Sequence, residues 1–333
     1  MQTDSARIAV GVAGATGYAG VELVQILARH PGARLRVAMA SGDGVRPPAP
    51  RLARRWDEPV VGLSVERLAA DTRAVFLALP ETVAAEIAPQ LLARDVRVFD
   101  LSGAFRLRDA DARRRWYPAT DDDTARQAVY GLTEAARDAL RQARLVSCPG
   151  CYPTAALIAL RPLVTAGLLT GDIIVDAKSG ISGAGKAPSD RTHFSECHGS
   201  VAAYGVFAHR HAVEIEQEVE RRVTFVPHLV PLDRGILETI YVTLEAGVDA
   251  AAVRRAFEEA YRDSPFVRLT GDQLPEIKHV AHTNFCDVGW RHEPDGRRMI
   301  IVSCLDNLLK GAAGQAVQNF NVAFGLDERA GLD

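Results

Sequence analysis

Three glycines spaced by three, closing a strand and opening a helix, restrict this chain more than any other feature. Residues 8–20 read Ile-Ala-Val-Gly-Val-Ala-Gly-Ala-Thr-Gly-Tyr-Ala-Gly, with Gly14, Gly17 and Gly20 at the end of the apolar run. Glycine at those points permits a tight turn, close passage of backbone past a pyrophosphate, and close packing of helix on strand. The first helical N–H groups and the positive end of the helix dipole then face the phosphates. Glycines alone are weak testimony, but a place between a first strand and a first helix supplies the needed context. The expected nucleotide-binding turn is Gly14, Ala15, Thr16, Gly17 and Tyr18.

The pattern around that turn sets the fold class. Residues 7–12, 35–40, 74–79, 96–101 and 144–147 read as buried strands, and residues 19–30 carry Val21, Leu23, Val24 and Leu27 at helical spacing. Strand and helix in alternation predict a doubly wound, Rossmann-type parallel sheet over residues 1–147. After about residue 150 the pattern changes. Helices are expected at 153–166, 212–222 and 250–262, with strands at 173–179, 223–229, 235–244 and 299–303. That reads as a second, α+β domain over residues 148–309 with a mostly antiparallel sheet. A helix at 314–324, within residues 310–333, is expected to pack back on the first domain. The whole is an α/β chain, and 333 residues suit two domains.

Composition narrows the classes of function. Hydrophobic residues at 47% and charged residues at 24% leave ample core, and a net charge of -3 argues against gripping nucleic acid or an anionic membrane. The most membrane-like stretch, 155–169, is interrupted by Arg161 and Pro162 and is too short to span. The first residues run straight into a strand with no secretory pattern, and five cysteines, an odd number, make no disulfide framework. A cytoplasmic location is expected. The second strand ends Ala40-Ser41 without the acidic residue that holds a ribose 2′-hydroxyl, which favours NADP, with Ser41 as a cofactor contact.

Residues 146–154, Val-Ser-Cys-Pro-Gly-Cys-Tyr-Pro-Thr, place Cys151 after a Pro-Gly turn and at the start of a helix. The helix dipole lowers a thiol there from about 8.5 toward neutrality, as a covalent nucleophile requires. A buried structural cysteine and a Cys148-x-x-Cys151 redox pair are the competing readings. No thioredoxin-sized domain surrounds the pair, and no second Cys/His pair completes a zinc site, so no metal is expected.

These motifs together resemble the N-acetyl-γ-glutamyl-phosphate reductases, relatives of aspartate-semialdehyde dehydrogenase. Gly-Cys-Tyr-Pro-Thr and Gly-Ala-Thr-Gly-Tyr-Ala-Gly carry the likeness. It extends through residues 100–106 (Asp-Leu-Ser-Gly-Ala-Phe-Arg), 130–134, 179–186, the His209-Arg210-His211 segment with Glu214, and residues 306–316. The resemblance implies NADPH-dependent reduction of an acyl phosphate to an aldehyde through a thioester on Cys151, in arginine biosynthesis, by a homo-oligomer. It points to His209 as acid/base, with His211 two residues away not separable from it by sequence. Glu214 is expected to orient an imidazole or to meet substrate. Arg106 is expected at the leaving phosphate, because a guanidinium fork matches phosphate oxygens; Ser102 and Arg210 join it as substrate contacts. Ser182, Gly183 and Asn307 are implied on the nicotinamide side.

The chain departs from the family at Cys148, often Asn, and at Gly103-Ala104, often Ala-Asp. Gly42-Asp43 stand where relatives commonly have Arg, which leaves Arg46 as a substitute for the 2′-phosphate. Two rivals remain. The sister reductase of lysine biosynthesis acts on a carrier-linked aminoadipyl phosphate and tends to carry Gly-Cys-Asn-Ala-Thr. A non-catalytic NADP sensor would keep the fold and lose the chemistry.

Overall fold

A computed structural model describes residues 7–42, 45, 52, 55–294 and 296–333; Asp43 and Arg46 lie outside them. Internal contacts divide the chain into two units, Met1–Pro149 with Ala312–Asp333, and Gly150–Gly311.

In the first unit the short apolar runs become seven strands: β1 (Ile8–Ala13), β2 (Ala33–Ala40), β3 (Val60–Gly62), β4 (Ala74–Leu77), β5 (Arg97–Asp100), β6 (Ala128–Tyr130) and β7 (Leu145–Ser147). All pair in parallel, in the order β3-β2-β1-β4-β5-β7-β6. Such strands are covered on both faces, so β4 (Ala-Val-Phe-Leu) is buried throughout rather than alternating. Helices α1 (Tyr18–Leu27), α2 (Val65–Asp71), α3 (Glu81–Leu92), α4 (Ala110–Trp116), α5 (Asp122–Gln127) and α6 (Thr133–Gln142) occupy the connections. The strand order reverses beside β1, and ligands of open parallel sheets bind outside the carboxyl ends at such a switch point.

The second unit holds α7 (Cys151–Thr165), β8 (Leu169–Gly180), α8 (Phe194–Cys197), β9 (Ala202–Ala203), α9 (Arg210–Val219), β10 (Val223–Val230), β11 (Ile236–Leu244), α10 (Ala250–Tyr261), β12 (Val267–Gly271), β13 (Cys286–His292) and β14 (Arg298–Leu305). Its sheet runs β12-β13-β14-β11-β8-β10-β9. Two of its pairings are parallel, β12 with β13 and β8 with β10, and the others are antiparallel. Alternate residues of β10 and β11 are buried, the signature of a sheet with one covered face. The cover is α7, which packs on β11 and β14 and is apolar almost all round. On the opposite face Ile174, Tyr241 and Ile300 form one cross-strand row and stay 40%, 40% and 38% exposed.

The chain returns to the first unit with α11 (Gly314–Ala323), which packs on α6, α1 and β5 and is buried along its whole length. Buried polar groups need partners, and here Gln315 and Asn319 donate to the Gly131 carbonyl while Thr133 donates to Asn319 at 2.6 Å. Phe320 meets Phe76 and Phe99 at 5.7 and 5.8 Å. Among the described residues, no helix is long and apolar enough to cross a membrane.

Candidate active site

The glycine turn of the first unit has the shape its spacing predicts. Gly14 adopts φ +92°, and a Cβ there would run into the backbone carbonyl of Ala78. A Cβ on Gly20 would strike the carbonyl of Gly14, so Gly20 sets how closely α1 approaches the turn. Gly17 differs: it caps α1 with no side-chain cap bond, and a Cβ there would meet only the Gly14 oxygen, at 3.5 Å. The first N–H groups of α1 therefore lie beside a side-chain-free surface, a cradle that fits a dinucleotide pyrophosphate. Ser41 follows the carboxyl end of β2, and β1 and β2 are parallel, so Ser41 and the turn share one edge of the sheet.

Asp100, Ser102, Arg106 and Cys148 form a buried cluster at the ends of β5 and β7. Ser102 donates its hydroxyl to Asp100 at 2.8 Å and accepts from the Ala104 N–H at 3.2 Å. Burial pushes the Asp100 carboxyl up to about 6, against the pull of the Ser102 bonds and Arg106. Arg106 is no surface arginine: its guanidinium is buried and donates to the carbonyls of Cys148 and Leu101, each at 2.8 Å. A cation so fixed is preorganised for an oxyanion. Cys148 is buried, its sulfur 3.7 Å from the Asn319 amide, and burial pushes the thiol up to about 12. Such a thiol is inert rather than redox-active.

In the second unit Cys151 is the first residue of α7, and its N-cap, Gly150, is extended and offers no side-chain cap. Uncapped N–H groups leave the positive end of the helix to the thiolate. Two contacts fix that residue. The buried Glu214 carboxylate accepts the Gly150 N–H at 2.8 Å, so the carboxylate expected to orient an imidazole also anchors the residue before the nucleophile. Gly311 approaches so closely that a Cβ on it would lie 2.8 Å from the Cys151 Cβ. Gly311 belongs to a π-helical turn, Leu309–Ala313, a local irregularity common at functional sites.

Aromatic rings surround the neighbouring Tyr152. It meets His209, His211 and Phe225 edge-on at 6.1, 5.9 and 5.3 Å, and its hydroxyl lies 3.2 Å from that of Tyr204. His209 and His211 are themselves 4.8 Å apart. His209 is the N-cap of α9, and its Nδ1 accepts the His211 N–H at 3.1 Å. Burial first, and the Arg210 cation second, lower His209 to about 4. The capping bond works in the same direction, since it needs a bare Nδ1. The imidazole is thus neutral at pH 7 with its proton on Nε2, a hydrogen-bond donor. Arg210 is exposed at the start of α9. On the other side of the sheet end, Asn307 accepts the Gly235 N–H at 2.6 Å and donates to Ser182 at 3.0 Å, tying Ser182 and Gly183 to the start of β11.

Sequence reasoning missed Tyr204 and the closeness of Gly311 to Cys151. Glycine in the run after Asn307 was a signal for the latter; nothing in the sequence marks Tyr204.

The chain is similar to known proteins in sequence and in fold. The family models "Semialdehyde dehydrogenase, NAD binding domain" and "Semialdehyde dehydrogenase, dimerisation domain" match residues 9–143 and 151–307. Proteins named N-acetyl-gamma-glutamyl-phosphate reductase are similar along nearly the whole chain. That of Symbiobacterium thermophilum is 45% identical over 98% of this chain and 97% of its own. That of Shouchella clausii is 41% identical over 97% and 98%. Aspartate semialdehyde dehydrogenase II of Vibrio cholerae, complexed with ASA, superposes with a TM-score of 0.73 at 18% identity over 96% of this chain and 98% of that one. The Candida albicans aspartate semialdehyde dehydrogenase with NADP gives 0.68 at 16% over 95% and 98%. Those likenesses show the fold, and the sequence matches show more: the chain belongs to the N-acetyl-γ-glutamyl-phosphate reductase family of the semialdehyde dehydrogenases.

Proposed function

We propose that this chain reduces N-acetyl-γ-glutamyl phosphate to N-acetylglutamate semialdehyde with NADPH, in arginine biosynthesis, through a thioester on Cys151. The observation that carries this reading is a cysteine at the uncapped amino end of a buried helix, its neighbour Tyr152 ringed by two histidines. The turn from Gly14 to Tyr18 would hold the pyrophosphate, Ser41 the ribose side, and Ser182, Gly183 and Asn307 the nicotinamide side. When bound, NADPH supplies a hydride to the thioester carbonyl.

The residues do the rest. The Cys151 thiolate attacks the acyl carbon, the C–O bond to phosphorus-bound oxygen breaks, and phosphate leaves with the bonding pair. Arg106 is assigned to the phosphate oxygens and Ser102 and Arg210 to the substrate anion. The Nε2–H of neutral His209 stabilises the oxyanion that follows reduction, as donors aimed at developing charge do. Collapse of the thiohemiacetal returns the electron pair to sulfur and frees the aldehyde. Glu214 acts as a positioning residue through Gly150.

The test is the reverse reaction with N-acetylglutamate semialdehyde, phosphate and NADP or NAD, followed by absorbance of reduced cofactor. Phosphate-dependent reduction of NADP that vanishes in Cys151→Ala supports the proposal. Turnover only with carrier-linked aminoadipate semialdehyde would move the chain to the lysine reaction, and NADP binding without any turnover would make it a sensor.

The same reading places a second copy of the chain on the outer face of the second sheet. The exposed row Ile174–Tyr241–Ile300 lines a hollow of about 660 Å³, within the stretch matched by a dimerisation domain. Tyr241→Glu should halve the mass seen by light scattering; an unchanged mass removes this face as the interface. A cytoplasmic location is part of the proposal.

A further inference from the structure

The opposite edge of the first sheet, at the amino ends of the strands, carries a charge arrangement the chemistry does not use. Arg73 precedes β4, Arg97 opens β5, and Arg144 precedes β7, and these three strands are neighbours. Backbone bonds lock the row: the Arg97 N–H donates to the Arg73 carbonyl at 3.0 Å and the Val98 N–H to the Arg144 carbonyl at 2.8 Å. With strands about 4.8 Å apart, the backbones of the three arginines stand within roughly 10 Å of one another. They line a cavity of about 480 Å³ together with Asp95, Ala323 and Phe324.

Two of the three are preorganised. Arg97 is half-buried, donates to the Ala323 carbonyl at the end of α11, and lies 4.7 Å over the Phe324 ring. Arg144 donates to the Leu92 carbonyl at 2.7 Å and to Asp95 at 2.9 Å. Among the described residues, the Arg73 side chain makes no hydrogen bond or ion pair. Among the described residues, Asp95 is the only carboxylate lining the cavity, so three positive charges face one negative. The mutual repulsion is visible at Arg97, whose charge is disfavoured by burial first and by Arg73 and Arg144 next. Fixed like charges with unused N–H donors are what an oxyanion relieves.

We infer that Arg73, Arg97 and Arg144 form a binding site for a small doubly charged oxyanion of the phosphate class, separate from the glycine turn on the opposite edge of the sheet. The chemistry is shared by free phosphate and by phosphate monoesters. Two charges match the local excess, and guanidinium forks match phosphate oxygens.

The test is calorimetric titration of the NADP-saturated protein, at constant ionic strength, with inorganic phosphate in one arm and glycerol 3-phosphate in another. Wild type, Arg73→Glu, Arg73→Gln and Arg106→Gln are compared. Because the Arg73 side chain makes no hydrogen bond or ion pair among the described residues and repels Arg97, its variants should unfold no more readily than wild type in the absence of anion. A binding class that survives in Arg106→Gln, weakens about tenfold or more in Arg73→Glu and weakens less in Arg73→Gln is the expected result. Preference for one arm would identify the source. Isotherms unchanged by either Arg73 substitution, or no saturable binding up to about 10 mM in wild type, would overturn the inference. The Arg106→Gln arm separates this site from the assigned leaving-phosphate site, so either proposal can fail without the other.

Discussion

Gly311→Ala tests how tightly the nucleophile is held. Its new Cβ would lie 2.8 Å from the Cys151 Cβ, and 3.2 Å from both the Cys151 Cα and the Leu305 Cδ1. Ordinary carbon contacts are about 3.5–4.0 Å, so the first turn of α7 must retreat by roughly 0.7 Å. Gly311 needs no special backbone angle, which leaves steric overlap as the whole effect. A misplacement of about 1 Å lowers rate about a hundredfold, so kcat should fall between about tenfold and a hundredfold, or about 1.4–2.7 kcal/mol of barrier. Overpacking of this kind destabilises by about 1–3 kcal/mol, a few degrees in Tm. The assay is kcat and KM in the reverse direction, beside the rate of Cys151 alkylation by iodoacetate. A displaced thiol still alkylates and binds substrate, so KM and labelling should change little. A kcat within about threefold of wild type, in a variant that folds normally, would refute the idea that Gly311 sets the position of the sulfur.

His209, lowered to about 4, should give kcat/KM an acid limb near that pH that His209→Asn removes, while any limb near 6, where burial places Asp100, persists in the variant; a limb near the ordinary imidazole value that vanishes in His209→Asn would contradict the N-cap account. Because its folded pKa lies below the unfolded one, His209 also contributes stability at neutral pH that is lost as pH falls from about 6.5 toward 4. Glu238 faces α7 from β11, and both its carboxylate oxygens are buried without a hydrogen-bond partner. Burial raises its pKa well above the carboxylate range, opposed by Lys178, so the protonated form is the one the fold tolerates. Its contribution is present below about pH 4 and is lost as pH rises. Urea unfolding of Glu238→Gln should match wild type at pH 4 and exceed it increasingly toward pH 8; parallel curves would disprove this. Cys148→Ser should keep near-wild-type turnover, and maleimide labelling of the native protein should leave Cys148 unmodified; a Cys148–Cys151 disulfide under mild oxidant would show the buried thiol to be accessible.

The features readable in the sequence were those that local chemistry dictates. Gly14 and Gly20 announce a turn because only glycine tolerates the approaches found there. Cys151 announces itself by standing at a helix start. The strands that were read, such as β10 and β11, alternate cleanly over eight and nine residues. The unread β3 and β6 have three residues each, too few for a period, and β12 (Val-Arg-Leu-Thr-Gly) has no fully buried position. Helix α9 begins two residues before its expected start because His209 serves as the cap, and imidazole is not among the usual capping groups. Glu214 and Gly150 are 64 residues apart, and no periodicity links a carboxylate to one particular backbone N–H.

That last pair explains why the His209–Glu214 segment works as a unit. The helix α9 begins at His209, whose Nδ1 is committed to the cap and whose Nε2–H is thereby fixed in direction. One turn later the same helix presents Glu214 to Gly150, at the base of the nucleophile. A rigid element thus carries both the proposed oxyanion donor and the anchor of the thiolate, and the two cannot drift independently. The family resemblance pointed to His209 without separating it from His211, and in the fold the two are distinct. The His211 backbone N–H is what makes the His209 cap, so the two residues hold different offices in one bond. Removing the anchor should therefore loosen the sulfur without touching the imidazole. Glu214→Gln, which keeps an acceptor for Gly150, should retain far more kcat than Glu214→Ala, while both keep the His209 acid limb. Equal losses in the two variants, or a shifted limb, would show that Glu214 acts on the imidazole instead.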